Sequence, residues 1–342
     1  MASNKKFVYE IPNVIRVYDD GSVERLAVAP YVAPTLNDPI TGISTKDIII
    51  SPEKLVYEIP NVIRVYDDGS VERLAVAPYV APTLNDPITG ISTKDIIISP
   101  EVSARLYLPK LESTTSQKKL PILVYFHGGG FIIGSAFTAW EHNYLNTMPQ
   151  NIPAAYQDCW AALQWVASHS KTTGENQEPW LVEFGDFDRL YMGGDSAGAN
   201  IVHNLALKAG TKNLVNDVKI LGGVFCCPYF WRSQCTPDES YAYKCWMLAC
   251  PHAEGGIDNH MINPFAGGTF DAGFCYKKLL VVVTEKDELR DIGIKYYKAV
   301  NNSEWDGEVE FLQIHGEDHC FFLLDCTTEN AKILMKRVAF ID

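Results

Sequence analysis

The chain has 342 residues, 47% of them hydrophobic and 21% charged, and carries a formal charge of −13. That length holds one large domain with a substantial core, or two small ones. The acidic balance argues against a nucleic acid or an anionic membrane as partner, since either calls for a basic face.

In chain order the first feature is an internal repeat. Val8 to Glu53 recurs at Val56 to Glu101 without a single difference. Each copy carries an Ile-Arg-Val-Tyr strand, an Asp-Asp-Gly turn, a Val-Glu-Arg-Leu strand and an Asp-Ile-Ile-Ile strand. Two copies are too few for a solenoid, which generally needs about three or more to bury a continuous core. The second copy runs directly into Val102 to Pro109 and so has a short tether to the main sheet. The first has no such tether. Residues 1–55 are therefore expected to form a peripheral or loosely packed extra copy, and residues 56–342 the main domain with N-terminal cap elements.

Leu120-Pro121-Ile122-Leu123-Val124-Tyr125-Phe126 reads as a strand buried on both faces. It ends in His127-Gly128-Gly129-Gly130-Phe131, whose glycines let backbone N–H groups turn towards a common point. A phosphate loop would need Gly-Lys-Ser/Thr, and a dinucleotide site would need G-x-G-x-x-G opening into a helix. Neither is present. Helices are expected over 136–148 and 154–169. An alternating βαβ chain places a strand between two such helices, and only Pro149 to Pro153 stands there. One strand is thus expected to be missing between residues 148 and 154.

Arg189 to Met192 predicts a strand, Gly193-Gly194-Asp195-Ser196-Ala197-Gly198 a sharp turn, and Asn200 to Ala209 a helix closed by Gly210. The turn contains G-x-S-x-G. Pushing the Ser196 hydroxyl out of the end of a sheet crowds the positions two before and two after it, where only glycine fits. A buried strand follows at 219–228. The aromatic-rich stretch 229–247 reads as irregular, serving as core packing or as a pocket wall. A strand at 278–284 leads into Glu285-Lys286-Asp287. A helix at 293–300, a strand at 307–315, the loop Gly316-Glu317-Asp318-His319-Cys320-Phe321 and a helix at 329–340 complete the chain.

The nine cysteines are odd in number and include no C-x-x-C pair, which reads as reduced thiols rather than a disulfide framework or a zinc site. The first residues lack an apolar segment with a small-residue cleavage site, and no apolar run approaches the roughly 20 residues of a membrane span. A cytoplasmic protein is the expectation.

A serine hydroxyl needs an adjacent general base, itself oriented by a carboxylate. In a parallel sheet those groups come from loops at the carboxyl ends of strands. Ser196, Asp287 and His319 each follow a strand, in the order Ser…Asp…His of an α/β-hydrolase. Asp287 is preferred to Asp291 because it sits immediately beyond its strand, and His319 to His315 because His315 lies at a strand end. The amides of Gly128, Gly129 and Ala197 are the expected oxyanion donors. With an unperturbed imidazole the rate falls as pH drops through about 6.5.

At these residues the chain resembles the plant carboxylesterase family within the hormone-sensitive-lipase-like α/β-hydrolases, which includes 2-hydroxyisoflavanone dehydratases, tuliposide-converting enzymes and gibberellin receptors. The resemblance rests on His127 to Phe131, Gly194 to Gly198, Glu285 to Asp287 and Gly316 to His319, with Ser103 to Pro109 and Met261 to Phe265 beside them. It covers roughly residues 56–341. It implies an α/β-hydrolase fold, with an eight-stranded, mostly parallel sheet flanked by helices, and hydrolysis of short carboxylic esters through an acyl-Ser196 intermediate. It implies no cofactor and no metal. The family's strand before the helix at 154–169 is the one this sequence lacks. A hydroxyisoflavanone-type dehydratase and the inactive product of a damaged gene are alternatives. A gibberellin receptor is disfavoured, because receptors lose the base histidine and carry Ser at the third glycine, whereas His319 and Gly130 are intact here.

Overall fold

A computed structural model describes residues 7–11, 15–18, 23–25, 54–68, 70–75, 78–111, 119–135, 137, 139, 152–171, 177–231, 240–266, 270 and 272–339. The chain divides into two compact units, Met1–Lys54 and Leu55–Asp342.

In the first unit, β1 (Phe7–Ile11), β2 (Ile15–Tyr18) and β3 (Val23–Arg25) form an antiparallel sheet in that order. In the second unit, β4 (Leu55–Ile59), β5 (Ile63–Tyr66) and β6 (Val71–Arg73) do the same. The register repeats as well. Tyr9 faces Val17 and Ile15 faces Arg25 in the first sheet, and Tyr57 faces Val65 and Ile63 faces Arg73 in the second. Alternating apolar residues and tight turns thus fold the same segment the same way twice, which marks the meander as locally encoded. In the second copy Ile59 and Ile63 are buried in the main core of their unit, and the Tyr57 hydroxyl donates to the Lys244 carbonyl at 3.1 Å.

The rest of the second unit is a layered α/β structure. β7 (Ser92–Ser99) and β8 (Val102–Leu108) pair as an antiparallel hairpin. β9 (Leu120–Phe126), β10 (Gly185–Asp195), β11 (Ile220–Cys226), β12 (Lys278–Thr284) and β13 (Glu308–Ile314) form a five-stranded sheet in the order β13-β12-β11-β10-β9. All of its pairings are parallel. β12 is buried from Leu279 to Thr284, as a continuous apolar strand covered on both faces must be. Helices α1 (Ile152–Ser168), α2 (Pro179–Phe184), α3 (Ala197–Thr211), α4 (Tyr241–Ala249), α5 (Arg290–Asn301), α6 (Phe321–Leu324) and α7 (Glu329–Ala339) flank the sheet.

The expected mostly parallel sheet is present, but among the described residues it has five strands, and β7-β8 forms a separate sheet instead of completing eight. β9 closes the parallel sheet on one side. Of the segment where a strand is missed, residues 152 and 153 already belong to α1, while 148–151 lie outside the described residues, as does most of the helix expected at 136–148. The aromatic stretch read as irregular contains α4. There apolar residues at helical spacing bury Ala242, Cys245 and Trp246, and the Ser240 side chain accepts from the Tyr243 N–H to start the turn.

Leu190, fully buried in β10, tests the packing of the sheet. Leu190→Ala is expected to lower the unfolding free energy by about 2–5 kcal/mol, read from the denaturant midpoint.

Candidate active site

The nucleophile position is set by close backbone approach. Ser196 follows β10 and precedes α3, with φ 51° and ψ −117°, a conformation few side chains adopt. Its N–H donates to Cys226 O at 2.9 Å, and its carbonyl accepts from Tyr229 N at 3.0 Å and Asn200 N at 3.2 Å. A Cβ on Gly198 would lie 1.9 Å from the Phe126 carbonyl oxygen, and one on Gly194 would lie 2.4 Å from the Gly198 carbonyl carbon. Both clashes are with backbone and cannot be relieved by a side-chain rotation. The two flanking glycines are therefore required for the reason the spacing suggested.

Two further loops converge on this turn from the carboxyl ends of β12 and β13. The Ser196 hydroxyl lies 2.9 Å from Nε2 of His319, and His319 Nδ1 lies 2.7 Å from Oδ2 of Asp287. With Nδ1 protonated, it donates to the carboxylate and leaves Nε2 to accept from the serine. Asp287 is buried, and its other oxygen accepts the Leu289 N–H at 2.8 Å. The two loops are tied together by Lys286 N to Glu317 O at 2.9 Å and by Gly316 N to the Glu285 carboxylate at 2.7 Å. Burial by itself drives the His319 pKa down, but the hydrogen bond and charge of Asp287, aided by Cys227 and Asp195, outweigh it and hold the group up at about 9. The alternatives lie elsewhere. His315 is exposed beside Glu285, and Asp291 is exposed against Arg290.

Of the three expected oxyanion amides, Gly128 is committed elsewhere. Its N–H donates to the carboxylate of Asp195, which also accepts from the Tyr125 hydroxyl at 3.0 Å. Burial raises the Asp195 pKa to about 6 against those hydrogen bonds. Gly130, which the sequence reading left out, instead lines a cavity of about 320 Å³ with Ser196, Tyr229, Tyr241, Lys286 and His319. Gly129 and Gly130 both have positive φ, 95° and 58°, which aims successive amides differently from ordinary strand. Ala197 opens α3, so its N–H has no partner within the helix.

Tyr241 and Glu288 in the cavity wall were also missed. The Glu288 carboxylate accepts the Ala242 N–H at 3.2 Å, which ties α4 to the Asp287 loop. Only the aromatic density of 229–247 hinted at a wall here.

Cys227, His319 and Cys320 put potential ligand atoms within 4.8 Å of one another. Both imidazole nitrogens are already engaged by Asp287 and Ser196.

The sequence pattern of the alpha/beta hydrolase fold family matches residues 143–323. A 2-hydroxyisoflavanone dehydratase of Glycine max is 45% identical to the chain, with 98% of each covered. The chain belongs to the plant carboxylesterase-like family of α/β-hydrolases. A probable carboxylesterase 4, mitochondrial, of Arabidopsis thaliana is 35% identical over 99% of this chain and 84% of its own. Among solved structures, the esterase LipW from Mycobacterium marinum superposes on this α/β-hydrolase with a TM-score of 0.57 at 19% identity, covering 75% of this chain and 83% of its own. That last likeness is one of fold. Together these relatives make the chain a hydrolase-type enzyme. No helix among the described residues is long and apolar enough to cross a membrane.

Gly198→Ala is the sharpest test of the turn. Displacing Ser196 by about 1 Å from the imidazole is expected to cost roughly 10²-fold in turnover. Thermal unfolding of the same variant should show a lowered midpoint.

Proposed function

We propose that the chain is a serine carboxylesterase acting on short-chain esters. The observation that carries this reading is the hydrogen-bonded line Ser196–His319–Asp287, at 2.9 and 2.7 Å, opening into a cavity. His319 Nε2 takes the hydroxyl proton as Ser196 Oγ attacks the ester carbonyl. Asp287 fixes the ring and stabilises the imidazolium. The amides of Gly129, Gly130 and Ala197 hold the developing oxyanion, while Gly128 braces the loop through Asp195. His319 then passes its proton to the leaving alkoxide, giving the acyl-Ser196 intermediate. A water deprotonated by the same imidazole attacks the acyl carbon and releases the acid. None of these steps calls for a cofactor or metal.

Dehydration of a 2-hydroxyisoflavanone is the second reading, favoured by the 45% identity to the soybean dehydratase. The same donors would stabilise an enolate, and His319 would move the proton. Product analysis with such a substrate separates the two. Residues 1–54 are proposed to be peripheral to either chemistry, so a chain beginning at Leu55 should retain its turnover. The acidic surface favours a small molecule as partner rather than nucleic acid or membrane, and a cytoplasmic setting suits reduced thiols.

Ser196→Ala should abolish hydrolysis of p-nitrophenyl acetate, and undiminished turnover in it would refute the assignment. The pH profile follows from the imidazole. Only the neutral ring accepts the serine proton, so kcat/KM falls as pH drops through the His319 pKa, and Asp287 moves that limb up from 6.5 towards 9. Asp287→Asn should move the limb back down and lower kcat by roughly 10⁴-fold.

A further inference from the structure

Two thiols lie beside His319 and make neither hydrogen bond of the Ser196–His319–Asp287 line. Cys227 is the residue after β11, its N–H donating to Val282 O at 2.8 Å. Cys320 follows His319 and starts α6. Both are buried. Their sulfurs lie within 4.8 Å of each other and of the His319 ring. The Cys320 S–H donates to Asp195 Oδ2 at 3.7 Å, and Cys227 Sγ lies 3.7 Å from Thr284 Oγ1. The backbone at each is left-handed, φ 47° at Cys227 and 49° at Cys320, a region that non-glycine residues seldom occupy. The chain therefore turns the two side chains together against its own preference.

We propose that Cys227 and Cys320 form a peroxide-sensitive dithiol that switches the Ser196 site off by closing to a disulfide. As a regulation of that site, this rests on the esterase reading for its activity readout, but not for its chemistry. The two thiols differ in the way an attacking and a resolving pair must. Hydrogen bonding from Cys320 leads in pulling the Cys227 pKa below the usual thiol value, whereas burial pushes Cys320 well above it.

The Cys227 thiolate attacks one oxygen of a hydroperoxide. The O–O bond breaks, a sulfenic acid forms, and the leaving oxygen departs as alcohol or water after taking up a proton. The Cys320 sulfur then attacks the sulfenic sulfur. The S–S bond forms, the S–O bond breaks, and the hydroxyl leaves as water with the Cys320 proton. Two thiols are oxidised and one hydroperoxide is reduced.

The consequence is mechanical. A disulfide needs its sulfurs at about 2.05 Å, so the pair must draw together. Cys320 is covalently next to His319, and its approach to Cys227 drags the imidazole from its 2.9 Å contact with Ser196 Oγ. His319, the neighbour of Cys320 in the chain, lines the cavity from which a hydroperoxide would approach.

The test treats the full-length chain with hydrogen peroxide and reads two things. A non-reducing peptide map should show a cross-linked pair containing Cys227 and Cys320, absent after dithiothreitol. Hydrolysis of p-nitrophenyl acetate should fall roughly 10²-fold, the scale of an ångström-sized misplacement, and return with dithiothreitol. C227A and C320A should each keep turnover and lose the reversible inhibition, so either one suffices if the other folds poorly. No cross-link, a cross-link with undiminished turnover, or reversible inhibition persisting in C227A would each overturn the switch. Hydrogen exchange over 316–324, which should accelerate on oxidation, reads the displacement without any ester. A cross-link with faster exchange, but no turnover in either state, would sink the esterase reading and leave the switch standing.

Discussion

The approach of one stretch of main chain to another at the end of β10 is the constraint on which the rest depends. Gly198 sits against the carbonyl of Phe126, and Gly194 against Gly198 itself. Because neither contact has room for a methyl group, the chain reverses within one residue and Ser196 takes a conformation that it would not adopt alone. The backbone ties to Cys226 and Tyr229 hold that conformation in place. Strain at one residue is sustained by a packed sheet on one side and a buried helix on the other.

Everything that makes the serine useful arrives from other strands of the same parallel sheet. β12 delivers Asp287 and β13 delivers His319, and their loops are stitched together before either reaches β10. A parallel sheet collects such loops at one end, so residues far apart in sequence meet there without long connections. α4 covers the result from the side and is held by Glu288, which belongs to the Asp287 loop. The second copy of the repeat supports α4 in turn, through Tyr57. The cavity, His319 and the β4–β6 meander are thus connected within the second unit.

The sequence made the triad legible because each member stands just past a strongly apolar strand, and its rivals His315 and Asp291 stand where solvent reaches them. The glycines around Ser196 were legible because sterics leave no other residue. The run His127 to Gly130 shows that amides can converge but not that Asp195 stands beside Gly128, which only the structure shows. α4 and the cavity wall escaped because aromatic residues at helical spacing also suit plain core packing. The sheet came out smaller than the family resemblance implied, with the β7-β8 hairpin standing apart. The perturbed imidazole was beyond reach of the letters, since it depends on burial and on a carboxylate 32 residues away.

The central claim is that the elbow, the imidazole and the glycine loop assemble into one working nucleophile. The most direct measurement is covalent labelling of the purified full-length chain by a fluorophosphonate, with the modified residue located by mass spectrometry. The account predicts a single adduct on Ser196 that disappears when the chain is unfolded before labelling. No adduct on the folded chain, or an adduct on another hydroxyl, would contradict it.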